Sequence, residues 1–137
     1  LYHSYSADGK CEKCGEQGEF VQSTSGSFNG YKISSNNFSL ENGLFTSTNT
    51  AGGSYATFSV TATADLQICF GCSGGLYYDD FTVTAGGETV AWVSSSYIRE
   101  FSVELFKGQT LTFSFYRSPY SYLSGGTALI SYILIFA

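Results

Sequence analysis

Short runs of alternating apolar and polar residues fill most of the chain from residue 20 onward. In the clearest run, residues 54–63, small and aromatic apolar side chains occupy every second position from Ala56 to Ala62. Tyrosine, threonine and serine occupy the positions between them, from Tyr55 to Thr61. A period of two residues is that of a β-strand with one buried and one solvated face. Similar runs recur between Gly, Asn and Asp turns, so the pattern predicts about eight or nine short strands and no helix.

The turn signals between these runs indicate how the strands are connected. Gly86 and Gly87 separate two apolar runs and predict a hairpin. The stretch from Gly71 to Gly75 follows a run ending at Phe70 and predicts another turn. Many short strands with turns spaced roughly 8–12 residues apart are typical of a two-sheet antiparallel β-sandwich. We therefore expect an all-β fold, and a jelly roll in particular.

The first 18 residues differ from the rest of the chain. They are polar and rich in turn residues, and they follow neither the strand period nor the helix period. The predicted organisation is an irregular, knuckle-like N-terminal arm over residues 1–18 and a single β-sandwich domain over residues 19–137.

The last run, residues 127–137, is apolar at both sets of alternating positions and must be covered on both faces. In a monomer it would be a central strand with a loop across its back. Otherwise its outer face would meet another subunit or domain, with Leu129, Ile133 and Ile135 as the contact.

Composition and charge exclude several classes of function. The chain is 43% hydrophobic and 18% aromatic, which is too apolar for a disordered protein, and only 12% of its residues are charged. Its net charge is −5 with no basic stripe, so nucleic-acid binding is not expected. No apolar stretch approaches the about 20 residues of a membrane-spanning helix, so no membrane span is expected.

The four cysteines form two Cys-x-x-Cys pairs, Cys11/Cys14 and Cys69/Cys72. Two such pairs could hold one zinc ion in a tetrahedral site, and a half-site could be completed by His3. The alternative is disulfide bonding, either within a pair or from the arm to the sandwich, which suits an extracellular chain. The residues alone leave both readings open.

The sequence offers little for catalysis. His3 is the only histidine and lies in the arm, so a serine or cysteine nucleophile would lack its base. Asp79 and Asp80 are adjacent and would face opposite ways in a strand, which prevents them from acting as a facing pair. Their alternative use is as calcium ligands together with loop carbonyls. We therefore expect a protein that is not an enzyme.

Aromatic residues in or beside turns are the remaining candidates for ligand binding. Exposed rings stack on the apolar faces of sugars or fill pockets of a protein partner. The predicted ligand-binding residues are Tyr120, Tyr122, Tyr97 and Trp92.

From Asn42 to Ile133 the order of these features resembles a β-sandwich accessory domain that recurs in large secreted and surface proteins of gut-type bacteria. The resemblance rests on turn and strand motifs over about two thirds of the chain. The N-terminal stretch resembles the short His...Gly-x-Cys-x-x-Cys-Gly knuckles found between such domains, although the usual upstream cysteine is absent. The matching stretches are Gly53 to Ala56, Tyr78 to Val83, Glu100 to Leu105, Lys107 to Tyr116, Ser124 to Ile130 and, in the arm, His3 with Asp8 to Gly15.

The resemblance implies an extracellular, non-catalytic module that acts in adhesion, in recognition of a glycan, host surface or partner, or as a spacer. A second hypothesis is a subunit of an extracellular fibre, whose arm links neighbouring copies by a disulfide or by strand addition. The doubly apolar last strand and the low charge favour this alternative.

Overall fold

The computed structural model describes residues 8–10, 15–76, 79–119 and 126–136. Twelve strands are present in them, and no helix. The strands are β1 (Glu19–Phe20), β2 (Gly26–Phe28), β3 (Tyr31–Asn36), β4 (Phe38–Glu41), β5 (Leu44–Ser47), β6 (Tyr55–Ala62), β7 (Leu66–Gly74), β8 (Asp80–Ala85), β9 (Glu88–Val93), β10 (Ser95–Leu105), β11 (Thr110–Tyr116) and β12 (Ala128–Phe136).

The strands form two antiparallel sheets of six strands each. The first sheet has the order β10-β7-β12-β5-β4, and β1 also pairs with β12. The second has the order β2-β3-β6-β11-β8-β9. From β5 to β8, and again from β9 to β12, each connection passes from one sheet to the other, as in a jelly roll. The predicted all-β sandwich is confirmed, and the Gly86-Gly87 turn joins β8 and β9 as predicted.

The core lies between the two sheets and is built largely from aromatic side chains. Phe58, Phe70 and Phe113 are fully buried. The Phe113 ring packs edge-on against both Phe58, at 6.3 Å between centroids, and Phe70, at 5.1 Å. Edge-to-face packing is the favoured geometry for such rings. The alternation read in residues 54–63 is therefore the alternation between this core and the outward face of β6.

The strand β7 differs from its prediction because it runs through the glycine-rich stretch instead of turning at Gly71. It pairs with β10 on one side and with β12 on the other, and both ladders extend to Gly74. Tyr132 lies over Gly71 and leaves no room for a side chain at that position. A Cβ there would come within 2.7 Å of the Tyr132 ring. Glycine in this strand thus marks a close approach of a neighbouring side chain.

The last strand, β12, contains a bulge that changes which residues face the core. Its register with β7 shifts between Ile130 and Tyr132. After the shift, Ile133 and Ile135 point into the main core and are buried. The expected subunit contact through Ile133 and Ile135 is therefore wrong, since the bulge reverses the alternation read from the sequence. Leu129, which is half-buried and precedes the bulge, is the one member of that set with its side chain outward.

The outer face of β12 is covered by the chain itself. Leu134 and Phe136 form a small second cluster there with Cys69, against which Phe20 packs. Two buried glycines of the arm, Gly9 and Gly18, lie so close that a Cβ on either would come within 3.2 Å of Leu134. This is the monomer arrangement expected of the last strand, central in its sheet with a segment across its back.

Candidate functional site

The outward side of the second sheet carries ten hydroxyl or amide side chains in register on four neighbouring strands. We call this set the hydroxyl face. The strand pairings place them in rows that cross the sheet, with each residue directly opposite its neighbour in the next strand. The Oγ1 atoms of Thr61 and Thr110 lie 3.0 Å apart, within hydrogen-bonding distance. The members are Ser34, Asn36, Thr57, Ser59, Thr61, Thr82, Thr84, Thr110, Thr112 and Ser114.

Aromatic side chains border this face at two places. Trp92 on β9 is opposite Thr82, and its side chain is 65% exposed. Tyr55 and Tyr116 are opposite each other on β6 and β11, with ring centroids 4.7 Å apart, and Tyr55 is 56% exposed. Exposed rings of this size offer apolar surfaces on which a ligand can stack. The face therefore combines hydrogen-bonding groups with two apolar platforms.

On the four strands that carry the hydroxyl face, charge lies at two opposite corners. Among the outward side chains of β3, β6, β8 and β11, only Lys32 and Asp80 carry charge. Lys32 is opposite Thr61, at one end of the strands, and Asp80 is opposite Tyr116, at the other end. The rows between them are neutral. Such a surface can bind a polar ligand through hydrogen bonds and stacking without an ionic contribution.

The two predicted ligand-binding residues that the structure describes lie in different sheets. Trp92 lies on β9 in the second sheet, whereas Tyr97 lies on β10 in the first, where it is 81% exposed. Tyr120 and Tyr122 lie outside the described residues. Of the two described residues, Trp92 is the one that borders the hydroxyl face.

Asp79 and Asp80 point in opposite directions, as expected from their adjacency. Asp79 is buried, and its Oδ1 accepts a hydrogen bond from the backbone N–H of Ser118 at 2.9 Å. Asp80 is exposed beside Tyr116. Among the described residues no group of three or more His, Cys, Asp or Glu side chains could hold a metal ion. The calcium role of the pair stays a prediction. In the structure, the hydrogen bond from Ser118 to Asp79 holds the start of the loop after β11.

Cys69 and Cys72 lie on opposite sides of β7. Cys72 points into the main core, whereas Cys69 belongs to the outer cluster with Leu134 and Phe136. Two residues three apart in a regular stretch of strand face opposite ways, so these thiols can neither bridge each other nor bind one ion. A single zinc site with all four thiolates is therefore wrong, and no disulfide occurs among the described residues. Cys11, Cys14 and His3 lie outside the described residues.

Burial changes the acidity of two core groups. It raises the pKa of the Cys72 thiol to about 12, with a smaller opposing effect from the positive charge of Arg99. Burial also raises the pKa of Tyr31 to about 12, helped by the negative charge of Glu19 and by a hydrogen bond to it. Both groups ionise near pH 8.5 to 10 in an unfolded chain. Cys72 is therefore an unreactive core thiol at neutral pH.

These shifts predict that the protein becomes less stable in alkali. Above about pH 8.5 the unfolded state releases the Cys72 proton while the folded state retains it, so the free energy of unfolding falls as the pH rises toward 12. Urea unfolding at pH 8 and pH 10 should differ by about 2 kcal/mol from this thiol. In Cys72→Val the decrease should be smaller by that amount. An equal decrease in both proteins would contradict the assignment.

No protein-family model and no curated protein sequence matches the chain. Among solved structures, the chain is similar to the secreted serine protease VesC from Vibrio cholerae, with a TM-score of 0.58 and 10% identity. The match covers 75% of this chain and 23% of the protease, so the chain spans about a quarter of that protein. At this identity the similarity shows the sandwich fold and nothing of the protease activity.

Two carbohydrate-binding modules are similar over nearly their whole length. The family 35 module from Clostridium thermocellum has a TM-score of 0.41 at 16% identity, covering 77% of this chain and 92% of the module. The CBM22-1 xylan-binding domain from Paenibacillus barcinonensis Xyn10C has a TM-score of 0.41 at 14% identity, covering 88% and 95%. These scores are too low to carry a functional argument. The hydroxyl face of this chain must be judged on its own chemistry.

The sequence contained part of the signal for this face. The alternation in residues 54–63 identified Tyr55, Thr57, Ser59 and Thr61 as one solvated side. The register that places β11 and β8 alongside β6 is a non-local property that alternation within one strand does not encode. The pairing of Tyr55 with Tyr116 was missed for this reason.

Proposed function

We propose that the protein is a non-catalytic β-sandwich module that binds glycans through the hydroxyl face and its bordering aromatic residues. The observation that carries the proposal is the arrangement of Trp92, Tyr55 and Tyr116 around a neutral field of hydroxyl groups. A sugar ring presents apolar C–H faces and a rim of hydroxyls. Aromatic rings stack on the former, and Ser, Thr and Asn side chains exchange hydrogen bonds with the latter.

The outer faces of the two sheets differ in coverage and in charge, and this difference supports the assignment. The outer face of the first sheet is partly covered by the arm at Leu134 and Phe136 and carries the carboxylates of Glu100 and Glu104. Glu100 accepts a hydrogen bond from the Tyr132 hydroxyl at 2.9 Å. The hydroxyl face instead is open and neutral over its middle rows. The open face is the one that offers contact groups to a ligand.

The proposal includes an extracellular location, in a secreted or surface protein, because polysaccharides accessible to such a module lie outside the cell. Among the described residues there is no helix with the length and apolar content needed to cross a bilayer. Adhesion to a host surface that bears glycans would use the same binding site. The hydroxyl face serves both.

The alternative of a fibre subunit loses one of its supports. It rested on the doubly apolar last strand, the low charge and an arm that could link copies, and the outer face of that strand is occupied by Gly9, Gly18 and Phe20 of the same chain. Cys11 and Cys14 of the arm lie outside the described residues. We keep the glycan-binding module as the function that the geometry supports best.

Native gel electrophoresis through gels containing soluble neutral polysaccharides tests the proposal. The wild-type protein should be retarded by at least one of xylan, galactomannan or hydroxyethyl cellulose, since stacking and hydrogen bonding need no charge. Ser114→Lys, which places a long side chain in the middle of the face, should remove the retardation.

The matched control is Ser96→Lys, which adds the same charge at an exposed position of β10 in the other sheet. It should be retarded as strongly as the wild type. Equal retardation of both variants would contradict binding through the hydroxyl face. Absence of retardation of the wild type in every gel would contradict neutral-glycan binding.

A further inference from the structure

The register of the second sheet fixes where the two aromatic platforms lie relative to each other. One row across the sheet runs Trp92, Thr82, Ser114, Thr57 and Asn36. Tyr55 and Tyr116 belong to the next row, two residues further along β6 and β11. Trp92 and Tyr55 are thus diagonal to each other, separated by three strand intervals and one step of two residues.

Ordinary sheet dimensions convert this offset into a distance. Neighbouring strands lie about 4.8 Å apart and residues about 3.4 Å apart along a strand, which gives about 16 Å between the Trp92 and Tyr55 positions. That span exceeds the length of a disaccharide. Between the two platforms, a ligand would pass over Thr82 and Ser114 and reach the half-buried Tyr116. A single sugar unit can use one platform but not both.

We propose that the ligand is an extended, uncharged glycan chain of at least four sugar units that crosses the strands diagonally and stacks on Trp92 and Tyr55 at once. This deepens the proposed function and rests on it. The diagonal crossing explains why the aromatic residues occupy different rows while hydroxyl groups fill the space between them. The site should bind the interior of a long glycan and not its end, because both ends of the diagonal are open to solvent.

The restriction to uncharged glycans follows from the charges of the molecule. Lys32 is the one cationic side chain that faces outward on β3, β6, β8 and β11, and it lies three rows from Tyr55. An anionic polysaccharide would meet a protein of net charge −5, with no cationic side chain facing outward on β6, β8 or β11 between the two platforms. The cation beside the Trp92 platform is Arg99, whose guanidinium donates a hydrogen bond to the backbone carbonyl of Trp92 at 3.3 Å. Asp80 lies directly beside Tyr116 and would repel a carboxylate or sulfate placed there.

Isothermal titration calorimetry with a size series of neutral oligosaccharides tests this proposal. The series is taken from whichever polysaccharide retards the wild-type protein, and it runs from the disaccharide to the hexasaccharide. The association constant should rise at least tenfold between the disaccharide and the hexasaccharide. In Tyr55→Ala the hexasaccharide should bind no more than threefold tighter than the disaccharide, because the second platform then keeps only the half-buried ring of Tyr116 and either ligand covers Trp92.

The matched control is Phe106→Ala, which removes a similarly exposed ring at the β10–β11 turn, outside the hydroxyl face. It should retain the wild-type dependence on length. Binding that is lost in Ser114→Lys but independent of ligand length would overturn the diagonal site and leave the proposed function standing. Tighter binding of an acidic series, such as oligogalacturonides, would overturn the uncharged class.

Discussion

Replacing Trp92 with alanine should weaken binding of a neutral polysaccharide at least tenfold, with a melting temperature within about 2 °C of the wild type. The indole is 65% exposed, so its removal opens no cavity in the core. It also loses the largest stacking surface that borders the hydroxyl face. A tenfold change corresponds to about 1.4 kcal/mol, which is at the low end for a buried aromatic contact in a complex.

Affinity gels and calorimetry with the same polysaccharide give the comparison. Phe106→Ala is the control for loss of an exposed aromatic residue as such, since Phe106 is 59% exposed and lies in the turn before β11. It should bind as the wild type does. If both variants bind equally well, Trp92 is not part of the site. If both bind equally poorly, the effect is not specific to the face.

Replacing Gly74 with alanine should destabilise the sandwich by about 3 kcal/mol or more. This is the largest effect on stability that we expect from a substitution that removes no existing contact. Gly74 ends β7 with a φ of 110°, a conformation that side chains with L chirality rarely adopt. A Cβ there would lie 2.1 Å from the carbonyl oxygen of Thr127. The backbone of residues 127 and 128 would have to move, and β12 with it.

Gly43→Ala separates the backbone conformation from the steric clash. Gly43 also has a positive φ, of 78°, but nothing lies within 4 Å of the position its Cβ would take. It should cost about 1 kcal/mol. Denaturant unfolding of both variants measures the difference. Similar losses in the two would mean that Thr127 gives way and that the end of β7 does not fix β12.

The alternation of apolar and polar residues was sufficient to predict the class of the fold. Residues 54–63 became β6 with the predicted faces, and the Gly86-Gly87 turn joins β8 and β9. These features are local, because strand period and turn residues act over a few positions. The strand through Gly71 was missed because glycine is required there by the close approach of Tyr132 from β12. Tyr132 is distant in sequence, so the local pattern does not report this contact.

The bulge in β12 had the largest consequence for function. Alternation assigned Ile133 and Ile135 to an outer face and so suggested contact between subunits. One extra residue near Ser131 moved both into the core and turned Leu134 and Phe136 outward, under the arm. Bulges are set by the pairing partners on both sides of a strand, and single-strand patterns do not report them.

The candidate site depended almost wholly on register. Trp92 was predicted as a ligand-binding residue from its position beside a turn, but its neighbours on the face were not predicted. The hydroxyl groups of Thr57, Ser114 and Thr82 are unremarkable within their own strands. They become a surface because β6, β11 and β8 are adjacent and in step.

The most direct test of glycan binding by the hydroxyl face is to titrate the ¹⁵N-labelled protein with a neutral hexasaccharide and follow its amide and indole NMR signals. Binding as described predicts that the largest shifts occur at the Trp92 indole and at outward-facing residues of β6, β8 and β11, including Thr57, Thr82, Ser114 and Tyr116. Signals of β4 and β5 in the other sheet should stay within experimental error. Shifts confined to the first sheet or to the loops at its edge, with the Trp92 indole unchanged, would contradict the account.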